Sequence, residues 1–141
     1  MELNGETLRF IREHCKDDVR SLALQAPKYP GVDMPVALTQ IAGRQAAAEK
    51  IPSWHEEEGV LYPRHLSLEQ CSSEATARYK ASIIPGSSSG TLTDLTGGFG
   101  IDCAFLSPRF HHVTYVERQE VLCEIASHNF PLLGSKAMSD V

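Results

Sequence analysis

The chain has no basic excess: 13 lysines and arginines face 18 acids among 141 residues, a formal charge of -5. A chain-wide electrostatic footprint for nucleic acid is thereby excluded, although a local basic patch is not. No apolar run approaches the roughly 18–20 residues of a membrane-spanning helix, so no membrane partner is expected. The first residues, Met1-Glu-Leu-Asn-Gly-Glu6, are acidic where a secretory leader would be basic and then apolar. Cysteine is sparse, and Cys15, Cys71, Cys103 and Cys123 form no CxxC pair. Without a leader they read as reduced thiols of a cytoplasmic protein rather than as a zinc site or a disulfide framework, and no metal is expected. Repeats and low-complexity tracts are also missing. What remains is an apolar fraction of 42%, enough for a globular core, and a length of about one domain.

The composition changes at Pro85-Gly-Ser-Ser-Ser-Gly90, a run with no apolar residue that reads as a flexible joint. On this reading residues 1–84 form a helical subdomain, 85–90 a linker, and 91–141 the start of an α/β domain. Helices are predicted over Glu6–His14, with Leu8 and Ile11 on one face, and over Asp17–Gln25, with Val19, Leu22 and Ala23 on one face. A third is capped by Asp33, tolerates Pro35 in its first turn and runs to about Lys50, where Pro52 stops it. Ser67-Leu-Glu-Gln70 matches a capping box that opens a fourth helix through Ala75, Tyr79 and Ile83. The second half reads as a strand (Thr91–Leu95), a turn, a helix (Asp102–Ser107), a strand (Val113–Val116) and a helix of about Gln119–Phe130. In that last helix Val121, Leu122, Ile125 and Ala126 follow an amphipathic spacing. Strand–helix–strand–helix order predicts the α/β class and an open parallel sheet.

Chemistry concentrates in Thr91-Leu-Thr-Asp-Leu-Thr-Gly-Gly-Phe-Gly100 and in Glu117. A glycine-rich turn between strand and helix lets a ligand approach the backbone, and the N–H groups opening the helix then face it. Asp102 is a candidate cap of that helix. Such turns are common, so the turn alone says little; the acids add to it. Asp94 lies just before the turn, and Glu117 follows the second strand, 23 residues further on. A carboxylate there can accept hydrogen bonds from both ribose hydroxyls of a nucleoside.

Asp94-Leu-Thr-Gly-Gly-Phe-Gly100 resembles motif I of class I S-adenosylmethionine-dependent methyltransferases, with Thr96 at the first glycine position. Val113-Thr-Tyr-Val-Glu117 resembles their second strand with its ribose-binding acid, and the helix carrying Glu124-Ile-Ala-Ser-His-Asn-Phe130 is similar as well. A narrower resemblance covers Leu66–Ala81, which together with the glycine motif looks like bacterial methyltransferases with a C-terminal domain similar to the RNA-binding THUMP domain. The resemblance spans about residues 66–134. It implies a Rossmann-like sheet and S-adenosyl-L-methionine as cofactor. The methionyl part would lie against Asp94, Thr96, Gly97, Gly98, Phe99 and Gly100, and the ribose at Glu117 with Arg118 beside it. Gln70, Ser72 and Thr76 of the upstream helix would lie near the site, and RNA would be the methyl acceptor.

Two other readings stay open at this level. Gly98-Phe-Gly-Ile-Asp-Cys103 gives part of a dinucleotide fingerprint, as in a nicotinamide-dependent oxidoreductase. That reading puts Cys103 where a third glycine or alanine is needed and leaves Asp94 without a role. Alternatively, the helical half is a partner-binding module and the nucleotide-binding fold is incomplete and not catalytic. The Pro-containing motif that ends the fourth strand of the family is missing, since Pro63-Arg64 and Pro108-Arg109 stand in the wrong context. No catalytic residue is therefore named. The chain reads as the N-terminal part of a longer protein, ending at Ser135–Val141 where a third strand would begin. Its short parallel sheet would need the helical half, a partner or self-association to cover it. Among other residues, His111-His112 read as a solvated pair preceding the second strand, and Trp54-His-Glu-Glu-Glu58 as a solvated turn anchored by one tryptophan. Arg64, His65, Arg78 and Lys80 read as solvated basic residues, with RNA phosphate contact as the alternative. Cys103 and Cys123 read as core.

Overall fold

Short polar side chains open most of the longer helices. In the computed structural model, which describes residues 2–135 and 138–140, Asn4 caps α1 (Gly5–Glu13), Asp18 caps α2 (Val19–Leu24) and Asp33 caps α3 (Met34–Lys50). Each accepts a hydrogen bond from the backbone N–H three residues on, satisfying a donor that the helix leaves unpaired. Pro52 ends α3 and at once begins a short α4 (Pro52–His55), because its fixed φ suits a first helical turn. That turn buries Trp54, the anchor of the acidic segment after it.

The helix expected from Ser67 onward is two helices. Ser67 lies inside α5 (His65–Gln70), which has no side-chain cap, and Ser73 caps α6 (Glu74–Ile83) through the N–H of Thr76. A single helix would hold Leu68 and Ala77 half a turn out of phase, on opposite faces. The extended backbone at Cys71 turns both into the same core.

The Ser-Gly run read as a joint is mostly strand. β1 spans Ser87–Asp94 and pairs in parallel with β2 (Phe110–Val116), with a register irregularity between Ser87 and Thr91. Ladder hydrogen bonds come from the backbone, so a run without apolar side chains can still pair; β1 is an edge strand of the order β1-β2-β3. β2 likewise starts earlier than Val113 and includes His111 and His112, both exposed. The third strand is inside the chain: β3 (Met138–Asp140) pairs in parallel with β2 through Thr114, Tyr115 and Val116. Between the strands, α7 (Ile101–Leu106) follows the glycine turn, and α8 (Glu120–Leu132) leads toward β3, with Pro131 in its last turn. The fold is α/β, a helix-rich N-terminal region followed by a short parallel sheet.

The two regions share a core. Ile51, Trp54 and Tyr62 pack with Leu68 and Ala77 against Phe99, Ile101 and Ile125. A pair of carboxamides holds the connecting segment in place. Gln40 of α3 donates to the Tyr62 carbonyl (3.0 Å) and accepts from its N–H (2.8 Å). Asn129 of α8 does the same for Leu61, 2.8 Å in each direction. Each amide supplies one donor and one acceptor, so two adjacent residues are satisfied from opposite sides.

Burial raises the pKa of several core groups. Desolvation pushes the Cys103 thiol from 9.0 to about 12 and the Tyr62 phenol from 10.0 to about 12, and it raises Tyr115 as well. Folding thus favours the neutral forms. Their contribution is full below the unfolded values near 9–10 and is lost as pH rises toward the folded ones. The urea midpoint should therefore hold steady up to about pH 9 and fall steadily from there to 11. A flat midpoint up to pH 11 would contradict this burial.

Candidate functional site

Parallel pairing sets the site. Asp94 is opposite Tyr115 in the register, so the carboxyl ends of β1 and β2 lie side by side, where open α/β sheets bind their ligands. The chain then turns sharply. Asp94 Oδ1 accepts from the Thr96 N–H (3.0 Å), the Gly97 N–H donates to the Val116 carbonyl (2.9 Å), and the Gly100 N–H donates to the Gly97 carbonyl (2.9 Å). Glu117 reaches across from the end of β2. Its Oε2 accepts from the Gly98 N–H and its Oε1 from the Gln119 N–H, both at 2.9 Å. The Tyr115 hydroxyl, from β2, donates to the Gly98 carbonyl. The turn is thus tied to the second strand by a backbone bond, a carboxylate and a phenol.

The glycines have different causes. A Cβ on Gly97 would stand 2.2 Å from the Tyr115 ring, and one on Gly100 would stand 2.8 Å from the Phe130 ring, at a left-handed φ of 90°. These two are required by close packing inside the protein. Gly98 alone leaves open space, the nearest atom to its Cβ position being the Thr96 carbonyl oxygen at 3.8 Å. Packing inside the protein therefore accounts for Gly97 and Gly100, while Gly98 faces open space and has a left-handed φ of 55° that itself favours glycine. Gly100 also takes the N-cap position of α7, which Asp102 was expected to fill.

The other candidates divide. Thr96 and Arg118 are exposed beside the turn, and Glu117 is half-exposed. Each of its oxygens accepts one bond and keeps a second lone pair for a ligand. Phe99 points away: its side chain is 2% exposed and meets Trp54 edge-on at 5.0 Å, so it can offer a ligand only its backbone. Ser72 does come to the start of α7, donating to Asp102 Oδ2 at 3.1 Å. Gln70 and Thr76 are exposed, and neither bonds to the turn among the described residues.

Sequence reasoning assigned Lys80 to the solvated basic residues. Its ammonium instead bridges Asp102 Oδ2 (2.9 Å) and Ser72 Oγ (3.0 Å), joining α6 to α7 behind the turn. Asp102 Oδ1 is buried without a partner among the described residues. Arg78 pairs with Glu74 at 3.0 Å and lies 4.9 Å over the Phe105 ring. Leu95, just past Asp94, is 74% exposed, an apolar surface at the mouth of the turn that periodicity did not single out. Cys103, where the dinucleotide fingerprint needs a glycine or alanine, is fully buried in the core below the turn. Among the described residues no cluster of His, Cys, Asp and Glu is placed to hold a metal, and no helix is long and apolar enough to cross a membrane.

No protein-family model matches the chain, and no curated protein matches it significantly. Among solved structures it is similar to the crystal structure of a putative methyltransferase from Porphyromonas gingivalis W83, with 28% identity over 96% of this chain and a TM-score of 0.75. The chain spans about a third of that protein's length, 33%. The likeness supports a methyltransferase-like fold, built here as the helix-rich region and the first strands of a parallel sheet.

Proposed function

We propose that this chain is the N-terminal, cofactor-binding part of an S-adenosylmethionine-dependent methyltransferase that acts on RNA. One observation carries the cofactor reading. Glu117, directly after β2, accepts a hydrogen bond from the N–H of Gly98 in the turn that follows β1. A carboxylate able to hold a ribose and the open backbone of Gly98 are thus a single hydrogen bond apart. The similarity to a protein described as a putative methyltransferase supports it.

In this reading Glu117 uses its remaining lone pairs for the ribose hydroxyls, and Arg118 lies beside it. Asp94, Thr96 and the backbone of Gly97–Gly100, Phe99 included, face the methionyl end. Ser72, bonded to Asp102, is the upstream residue best placed to support that end; Gln70 and Thr76 flank it. The cofactor supplies an electrophilic methyl group, and what the protein contributes is position, since transfer needs the acceptor in line with the methyl. The RNA acceptor rests on the resemblance of Leu66–Ala81 to methyltransferases with a THUMP-like domain.

Titration calorimetry of the full-length protein tests the cofactor. S-adenosylmethionine should bind with a micromolar dissociation constant, about -8 kcal/mol, and NAD should give no heat. NAD binding without S-adenosylmethionine binding would overturn the reading. Incubation with methyl-labelled cofactor and separated cellular RNA and protein then tests the acceptor: label in protein alone would reject RNA.

A further inference from the structure

Apart from the glycine turn, α1, α3, α8 and the segment between α4 and α5 surround a cavity of about 570 Å³. None of its lining residues belongs to the turn, so the cavity is independent of the methyltransferase reading. The volume lies within the roughly 300–1,000 Å³ of small-molecule sites. Leu8 and Ile11 of α1, Leu132 of α8 and Leu61 between them form apolar walls. Leu8 and Leu132 are 40% and 42% exposed, apolar surface that an occupant would cover.

The polar groups on the walls are unequal. The backbone N–H and C=O of Leu61 and Tyr62 are taken up by Asn129 and Gln40. His128 Nε2–H is used by the Gly59 carbonyl at 2.8 Å. Arg12 of α1 and Arg44 of α3 also line the cavity, and neither guanidinium has an ion pair among the described residues. Glu58 is the one carboxylate on the lining, so two cations face one anion in a protein whose overall charge is -5. A guanidinium fork beside an apolar wall suits a planar carboxylate with a hydrocarbon body, since the fork pairs with both oxygens while the body covers the leucines.

We infer that this cavity binds a small amphiphilic carboxylate, its hydrocarbon body against Leu8, Ile11, Leu61 and Leu132 and its carboxylate on Arg12 and Arg44. Decanoate, kept below its micelle concentration, is a suitable probe, with decyltrimethylammonium as the cation of matching chain. Decanoate should titrate to saturation at one site, and the cation should not. Cys15 lines the cavity and is half-buried, as is Cys71 elsewhere, so decanoate should slow iodoacetamide labelling of Cys15 and leave Cys71 unchanged. Arg44→Gln and Arg12→Gln should each weaken decanoate about tenfold. Leu132→Gln, which alters the wall without touching either charge, should weaken it as well, and circular dichroism confirms that each variant is folded. The inference fails if decanoate does not saturate, if the cation binds equally well, if Cys15 is not protected, or if folded variants bind decanoate as the parent does.

Discussion

Glu117→Ala should weaken S-adenosylmethionine binding ten- to 150-fold in the full-length protein, roughly the 1.5–3 kcal/mol carried by hydrogen bonds to a charged group. The structure adds a second consequence. Glu117 also accepts the N–H groups of Gly98 and Gln119, so the alanine variant removes support from the glycine turn proposed to hold the cofactor. Glu117→Gln separates the two roles. Its carbonyl oxygen can keep the Gly98 bond, while its NH2 group can accept neither from the Gln119 N–H nor from a ribose hydroxyl. If the ribose contact dominates, glutamine should lose nearly as much affinity as alanine while keeping more of the thermal stability. If pinning the turn through Gly98 dominates, glutamine should recover part of both. Unchanged affinity in the alanine variant would end the ribose assignment.

Asn129→Leu should lower the unfolding free energy by about 2–5 kcal/mol, read from urea denaturation. Asn129 is fully buried, and its amide is the partner of both the N–H and the C=O of Leu61. Leucine keeps the branching but is bulkier, and it strands both backbone groups, each costing about 1–3 kcal/mol when left without a partner. Because Leu61 connects the helix-rich region to α8, the loss should appear as a change in midpoint with an unchanged slope if the chain unfolds as one unit. A change below about 1 kcal/mol would mean that water or a shifted side chain satisfies Leu61.

The features legible in the sequence are those that act over a few residues. Asp33 announces α3 because its side chain caps the N–H three residues on. The order of strand, glycine turn and helix, and the carboxylates at the two strand ends, follow from local turn chemistry and periodicity. Ser67 misled for the same reason: Ser67-x-x-Gln70 is as good a local cap as Ser73-x-x-Thr76, and only the shared burial of Leu68 and Ala77 selects the second. The length of β1 was hidden because its serines and glycine carry no apolar signal, whereas strand pairing requires only backbone groups.

By itself, then, the sequence determined the α/β order, the position of the glycine turn and the two acids that flank it. The tertiary structure decided what each group is for. Gly97 is glycine because Tyr115 covers it, and Gly100 because Phe130 does. Lys80 serves Asp102 rather than solvent, Phe99 fills the core beside Trp54, and Asn129 holds a backbone segment 68 residues away. Such partners meet only when the chain has folded, and hydrogen bonding and close packing depend on distances in space that spacing along the chain does not record.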